Sequence, residues 1–361
     1  MGNPLDAVDL RARVQSALDA FLDHQRTVLA ELGSDVDDLV AAVSTLASGG
    51  KRIRAAFLYW GYRAGGGPDS DALVRLAAAM EVFQAAALIH DDVMDDSDVR
   101  RGMPAAHRTF AARHRERGWD GSAERFGLSG AILAGNLCLN WTEELYATCG
   151  LPGAELARAR RAFDTMRTQL MAGQFLDVVE SARPWAGLPE AERVARAHRV
   201  IRYKSAKYTV EHPLLIGATA AGVDGDALAV LSRFGLDLGH AFQLRDDVLG
   251  VFGDPDTTGK PAGDDLREGK RTVLVAHALA GADAPGRRLL TDLLGRPDLD
   301  TAQVAALREV IVASGAVDAV EKEISVLADR AREALADAPG LDPEATAVLA
   351  DLVRATTDRS A

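Results

Sequence analysis

This chain of 361 residues is poor in cysteine, with Cys138 and Cys149 only, and poor in aromatics at 5%. Two cysteines build neither a disulfide framework nor a cysteine-ligated zinc site, and they are compatible with a reducing, cytoplasmic setting. Positive charge is also short: 41 Lys and Arg against 53 Asp and Glu leave a formal net charge of −12. A nucleic-acid surface needs clustered cations to neutralise phosphates, so no nucleic acid is expected as partner. No uninterrupted apolar run approaches the roughly 18 to 20 residues of a membrane span, so no membrane span is expected. The opening "MGNPLDAVDLRARVQ" lacks a basic segment followed by an apolar signal core, and a soluble, unprocessed chain is expected. Alternating strand patterns are nearly absent as well, which sets aside a doubly wound sheet and leaves an all-α bundle.

What is present is a helical pattern with 48% hydrophobic residues, enough for a large core. Asn3 and Pro4 suit an N-cap and first helical position, and Leu10, Val14, Leu18, Phe21, Val28 and Leu32 recur near a 3.6 period before Gly33. Ser34 restarts a helix that ends at Gly49-Gly50. Further helical stretches are expected around 71–96, 127–149, 154–181, 190–221, 225–253, 269–281, 302–314 and 316–337, separated by breakers such as "AGGGPDS", "ARPWAGLP" and "DAPGLDP". Without repeat or low-complexity linker, a single domain over 1–361 is expected. Within it, 103–126 reads as a polar surface connection or lid, and 353–361 as a frayed tail.

The chemistry gathers in "FQAAALIHDDVMDDSDVRRG", residues 83–102, where an apolar helical run ends in five aspartates and then two arginines. Acidic groups at a helix C-terminus meet the negative end of the macrodipole and repel one another, so a cation is expected there. Asp91 and Asp95 share a helix face, whereas Asp92 projects about 100° away. Carboxylates so placed suit Mg²⁺, which takes one or two of them, keeps waters and accepts phosphate oxygens. Asp246 and Asp247 repeat the arrangement in "FQLRDDVLGVFGD". Lys51 and Arg54 of "GGKRIR" stand at a helix start that also favours anions. Arg100, Arg101, Lys204, Lys260 and Lys270 complete the cations. A lone acidic pair or lone cation is as readily a solvated surface group. Together they point to metal ions on opposite walls of a cavity with a diphosphate between.

In combination these motifs resemble the trans-isoprenyl diphosphate synthases, the polyprenyl synthetase family, most closely its bacterial short-chain geranylgeranyl and farnesyl members. GGKRIR, DDVMD followed by RRG, GQFLD, KSAKYT, FQLRDD and GKPAGDD occur in family order over about residues 45–275. The resemblance implies a single-domain all-α isoprenoid synthase-type bundle around a central cavity, a homodimer, and two or three Mg²⁺ ions per active site. It places Asp91, Asp95 and Asp246 on Mg²⁺, with Asp92 and Asp247 assisting. It assigns Arg100, Lys204 and Lys260 to the allylic diphosphate, and Lys51, Arg54, Arg101 and Gln84 to isopentenyl diphosphate. Ser205 and Gln243 would place oxygens beside the developing carbocation, and Lys270 would close over the diphosphate.

The implied reaction joins isopentenyl diphosphate head to tail to dimethylallyl, geranyl or farnesyl diphosphate. Neutralising the leaving diphosphate lets the allylic C–O bond ionise; the isopentenyl double bond attacks the cation and a proton is lost to diphosphate. Chain length is expected to follow the helix bearing the first motif. Ala87 and Ala86 stand where C15-forming relatives carry bulky groups, and Phe83 lies about 5–6 Å deeper on that face. A C20 product, geranylgeranyl diphosphate, is therefore expected, with farnesyl or longer chains as alternatives. Two rivals are a class I terpene cyclase and a non-catalytic subunit of a prenyltransferase heteromer; the absent Ser and Glu of the cyclase motif and the intact first aspartate motif oppose them. Two departures stand out: Gly250 where many relatives have a third aspartate, and Asn136 where an acid is expected. His90, beside the first cluster, reads as structural.

Overall fold

Chain reversal by glycines and capped helix starts builds a protein that is helical almost throughout. The computed structural model describes residues 4–185, 187–254, 263–336 and 338–357. Among these, the only strands are the two-residue pair Val99–Arg100 (β1) and Met103–Pro104 (β2). The described residues divide into two compact units, Met1–Arg160 with Ile216–Gly222, and Arg161–Leu215 with Val223–Ala361.

The first unit is organised on Asp71–Met94 (α4), which packs against Leu10–Leu29 (α1), Ile53–Ala64 (α3) and Ala123–Thr148 (α6). Ser70 caps its start by accepting the Leu73 N–H at 3.2 Å. By length and composition α4 is apolar enough to cross a membrane, with a mean hydropathy of 1.7 over its best window, contrary to the sequence expectation. Of that window 72% is buried in the protein, and Glu81 inside it pairs with a buried arginine, which identifies α4 as a core helix. Asp37–Ala47 (α2) follows α1.

Two expectations for this unit need correction. Asn3 lies outside the described residues, and Pro4 opens a 3₁₀ turn, Pro4–Asp9, rather than α1. Leu10, Val14, Leu18, Leu22 and Gln25 form the buried stripe, whereas Val28, in the last turn of α1, and Leu32, where the chain has tightened into the 3₁₀ turn Ala30–Leu32, are exposed. The stretch 103–126 is not a polar loop. Ala106–Glu116 (α5) buries His107, Phe110, Ala111 and His114, an i, i+3, i+4, i+7 stripe, against α6. Gly127 and Gly130 admit the contact: a Cβ at Gly127 would sit 2.2 Å from the His107 carbonyl oxygen, and one at Gly130 would sit 2.8 Å from the Phe110 ring.

The second unit holds most of Gly153–Ala182 (α7), Glu190–Val200 (α8), a π-helical stretch Ile201–Glu211, and Gly225–Phe252 (α10). His212–Ala221 (α9) continues the π stretch, so the expected 190–221 helix is continuous but widened in its middle. Helix α10 packs on the π stretch and on Ala316–Ala336. Leu244, Val248, Leu274, Leu307, Ile311 and Val320 belong to one apolar core. A short helix Asp264–Glu268 (α11) comes first, and the helix expected at 269–281 starts only at Val273 (Val273–Gly281, α12), because Gly269 adopts a left-handed φ of 69° and Thr272 caps the new start. Ala284–Leu293 (α13), Thr301–Ala313 (α14), Ala316–Ala336 (α15) and Pro343–Thr357 (α16) complete the unit. The tail does not fray at 353: Val353, Thr356 and Thr357 are buried, and Arg245 donates to the Thr357 carbonyl at 2.9 Å.

Candidate active site

Helix α4 ends in the first aspartate motif, and the route the chain then takes explains the arginines. Asp96 turns left-handed at φ 52°, and β1 and β2 pair with Val99 opposite Pro104 and Arg100 opposite Met103. The two-residue turn between them, Arg101-Gly102, has positive φ at both positions, the geometry that matches strand twist in a hairpin. This hairpin folds Arg100 back on the helix end. Its Nε donates to Asp92 Oδ1 at 2.8 Å, Nη2 bonds the same oxygen, and Asp91 Oδ2 lies 3.7 Å away. Asp92 is fully buried, while Asp91 and Asp95 are half-buried on the adjoining face. Asp91 and Asp95 thus stand on one face at the helix end, Asp91 within reach of Arg100, and Asp92 is turned inward.

The GGKRIR segment enters α3. Lys51 is exposed just before the helix, Arg52 is its left-handed N-cap residue at φ 54°, and half-buried Arg54 is in its first turn. Arg52 is buried, and its Nη1 donates to Glu81 Oε2 of α4 at 3.3 Å. Glu81 Oε1 in turn accepts the Ala55 N–H at 3.2 Å, so one carboxylate anchors the arginine and caps the helix start. Arg101 donates to the Leu46 carbonyl at 2.8 Å, and its guanidinium lies over Gly50, where a Cβ would be 3.3 Å from Nη2. Although Arg101 is exposed as a residue, desolvation of its guanidinium lowers its pKa, Glu81 raises it, and Arg52, Arg54 and Arg100 lower it further. Four guanidiniums thus share one field. In a chain of net charge −12 this is a concentration of positive charge, two members of which, Arg52 and Arg100, are already paired with Glu81 and Asp92, and it suits an anion. Gln84 is half-buried on α4, two turns before Asp91.

In the second unit glycines bring three segments together. A Cβ at Gly173 would meet the Tyr203 carbonyl carbon at 2.5 Å and the Lys204 nitrogen at 2.6 Å, so α7 lies against the π stretch. Gly235 and Gly239 bring α10 onto the same stretch at Glu211 and Ala206. π-helical geometry in a long helix is frequent at functional sites, and here it carries Lys204 and Ser205, both half-buried. Lys204 Nζ is 2.5 Å from Asp177 Oδ2, the acid of GQFLD. One turn beyond Gly239, Gln243 Nε2 donates to Asp247 Oδ1 at 2.8 Å. Burial pushes Asp247 up to about 8; the Gln243 hydrogen bond opposes this, Asp265 adds to it, Lys270 opposes it and Asp246 adds to it. Asp246 is half-buried beside it. Lys270 Nζ reaches Asp265 Oδ1 at 3.1 Å and Glu268 Oε2 at 2.8 Å.

Lys260 lies outside the described residues. Asn136 is exposed on α6, and nothing in the structure explains it. His90 turns to α6, its Nε2 3.3 Å from the Ile132 carbonyl oxygen, against a bare Gly135 whose Cβ would be 2.2 Å from it. That supports its structural reading. Phe83 and Ala86 are fully buried and Ala87 is half-buried. Arg52, Glu81, Asp177 and Asp265 went unassigned in the sequence. The signal was visible for each: an acid alone in an apolar run for Glu81, and membership of the quoted motifs for the rest.

The donor set fits Mg²⁺. Among the described residues no three His, Cys, Asp or Glu side chains close a ready-made metal cage. The half-buried pair Asp91 and Asp95 beside Arg100, and half-buried Asp246 in the second unit, suit an ion that keeps waters and shares phosphate oxygens with a ligand.

These features define the all-α class of enzymes that bind prenyl diphosphates at aspartate-rich helix ends. The polyprenyl synthetase family matches residues 37–311. A geranylfarnesyl diphosphate synthase of Aeropyrum pernix is 34% identical over 86% of this chain and 90% of its own length. A geranylgeranyl diphosphate synthase of Sulfolobus acidocaldarius is 30% identical over 78% of each. Among solved structures, geranylgeranyl pyrophosphate synthase from Corynebacterium glutamicum, complexed with isoprenyl diphosphate and magnesium, superposes with a TM-score of 0.91 at 39% identity over 99% of both chains. The chain belongs to the polyprenyl synthetase family, with the all-α isoprenoid synthase fold, and is a prenyltransferase.

Proposed function

We propose that this prenyltransferase condenses isopentenyl diphosphate 1′-4 with dimethylallyl, geranyl and farnesyl diphosphates and stops at all-trans geranylgeranyl diphosphate, C20. It would do so as a soluble cytoplasmic homodimer with two or three Mg²⁺ ions per active site. The observation that carries the reading is the cationic group of Arg52, Arg54, Arg100 and Arg101, set by Glu81 and by the hairpin. A terpene cyclase consumes one diphosphate and has no use for a second cradle. A non-catalytic subunit has no use for Asp91 and Asp95 held ready beside an arginine-clamped Asp92.

Each residue has a task in this reading. Asp91, Asp95 and Asp246 would hold Mg²⁺, with Asp92 and Asp247 in support; the ions, when bound, neutralise the leaving diphosphate as Lewis acids. Lys204, Lys260 and Arg100 bind the allylic diphosphate and share that neutralisation, so its C–O bond can break. Lys51, Arg54, Arg101 and Gln84 hold isopentenyl diphosphate with its double bond toward the cation. Ser205 and Gln243 present oxygens to the cation, and Lys270 shields the diphosphate from water. The C20 limit rests on Ala87 and Ala86 leaving the first turns open and on Phe83 closing the next, and the named products of the two relatives above are C25 and C20.

Incubating the purified protein with Mg²⁺ and farnesyl diphosphate, with and without isopentenyl diphosphate, separates the classes. Diphosphate release that requires both substrates supports the reading. Release from farnesyl diphosphate alone with a hydrocarbon product identifies a cyclase, and no release in either case identifies a non-catalytic subunit.

A further inference from the structure

Helix α10 carries Asp246 and Asp247 little more than one turn from its end, and that end is short of positive charge. Its last turn holds no basic residue, and it closes on Gly253 in an extended conformation whose N–H returns to the Leu249 carbonyl at 2.7 Å. The carbonyls beyond Leu249 have no partner within the helix, and the negative end of the dipole adds to the two acids. The cation that answers this end arrives from α14. Arg308 donates from Nε to the Val251 carbonyl at 2.6 Å, and its guanidinium carbon lies 6.0 Å from the centre of the Phe252 ring. Arg308 is half-buried, its Nη2 is buried with no hydrogen-bond partner, and no ion pair involves it among the described residues. Burial lowers its pKa, and neighbouring Arg267 lowers it further. A desolvated guanidinium beside a second one, with no carboxylate paired to it, has the end of α10 as its counter-charge. On the other side of the aspartates Arg245 is held as well: Glu321 of α15 accepts its two terminal nitrogens at 2.5 and 2.7 Å, and the Thr357 carbonyl at the end of α16 accepts its Nε at 2.9 Å. Asp246 and Asp247 therefore stand between two arginine contacts with the C-terminal helices.

We propose that Arg308 is a positioning residue for the second aspartate motif: by capping the last turn of α10 it fixes the helix backbone at Val251, and with it the carboxylates of Asp246 and Asp247 that face Mg²⁺. Without the cap this turn frays, because two acids and the dipole end repel one another there. A metal ion then has to order the pair as it binds, and its affinity falls. What Arg308 supplies is a positive charge and a donor at a helix end, so a lysine in its place does the same and an uncharged side chain does not. The residue lies outside every motif quoted above. The inference rests on the Mg²⁺-dependent reading and adds to it a residue of α14 that touches no substrate.

The test compares the wild type with Arg308→Met, which keeps the apolar stem over Phe252 and removes the charge, Arg308→Gln, Arg308→Lys, and Leu307→Ala. Leu307 is a fully buried neighbour on α14 that belongs to the apolar core, so its truncation reports what general destabilisation does. Two measurements are made on each. Amide hydrogen exchange of the metal-free protein, read by mass spectrometry over 248–253, follows the last turn of α10. Calorimetry with MgCl₂ and inorganic diphosphate follows the metal-dependent site. Arg308→Met and Arg308→Gln are expected to speed exchange in that segment by about fivefold or more, the scale of losing a partly buried charge at a helix end, and to weaken Mg²⁺-dependent diphosphate binding by about tenfold, as altered supports of metal ligands do. Arg308→Lys is expected to stay close to the wild type in both. Leu307→Ala is expected to lower the melting temperature with little change in binding. Wild-type exchange or wild-type binding in the uncharged variants, a lysine variant as impaired as they are, or an equal loss of binding in Leu307→Ala overturns the inference. If the wild type itself makes no product from isopentenyl diphosphate, it is the functional reading that fails, and the exchange result on metal-free protein keeps the two failures distinct.

Discussion

Arg100 lays two guanidinium nitrogens on one carboxylate oxygen of Asp92, a residue with no exposed surface at the end of the central helix of its unit. The first aspartate motif is therefore asymmetric before any ligand arrives. One acid is spent on an internal pair, and two are left half-buried.

That asymmetry separates the effects of substitution. Asp92→Ala leaves a part-buried guanidinium without its partner and is expected to cost about 3–5 kcal/mol of stability. Asp91→Ala and Asp95→Ala should fold normally and lower turnover by at least about a hundredfold, the scale of losing an electrostatic transition-state contact. Urea melts and steady-state rates at saturating Mg²⁺ check both; near wild-type turnover in a folded Asp91→Ala protein would refute the metal assignment.

The cationic group should divide the two substrates. Lys51→Ala and Arg54→Ala are expected to raise KM for isopentenyl diphosphate by about tenfold with kcat largely kept, because they contribute uniform binding. Glu81→Gln should do the same less directly, by loosening Arg52 and the start of α3. Initial rates with one substrate saturating decide it, and a rise in KM confined to the allylic substrate would reverse the assignment.

Product length should respond to α4. Phe83→Ala is expected to lengthen the product and Ala87→Phe to shorten it toward C15 or C10, read by mass spectrometry. Phe83 is fully buried, so its truncation also costs about 3–5 kcal/mol, and folding must be confirmed by circular dichroism. An unchanged product in both active variants places the floor of the tunnel elsewhere.

Two histidines, buried His212 and half-buried His240, set an acid limit. Burial is the main cause that lowers both His212 and His240 from 6.5 to about 4, His198 adding to it at His240. Because the unfolded chain takes up their protons first, their stabilisation is present above the unfolded value and is lost as pH falls from 6.5 toward 4, on the order of 2 kcal/mol each by pH 5. Melting temperature should fall over that window, and less steeply in His240→Gln. A melting temperature that holds steady down to pH 5 would contradict this.

The sequence made the helix order and the motif residues legible because both are local: a 3.6 period, breakers, and acids or bases at fixed spacings. It hid what depends on contacts across the chain. α5 went unread because its buried stripe includes two histidines among arginines, and only packing on Gly127 and Gly130 shows them as interior. Leu32 misled because its period is helical while the backbone has already left the α-helix, and Val28 because the last turn of α1 carries the period without burying it. Gly250 read as a missing acid, since one residue at a time cannot show that the Asp265 carboxylate lies against it. The π-helical widening around Lys204 left no mark in composition at all.

The most direct measurement of the central claim is product analysis after incubation with Mg²⁺, farnesyl diphosphate and carbon-13-labelled isopentenyl diphosphate. The account predicts a single C20 prenyl diphosphate carrying one labelled isoprene unit. No incorporation of label would contradict the condensation, and label appearing chiefly in C25 or longer chains would contradict the C20 limit.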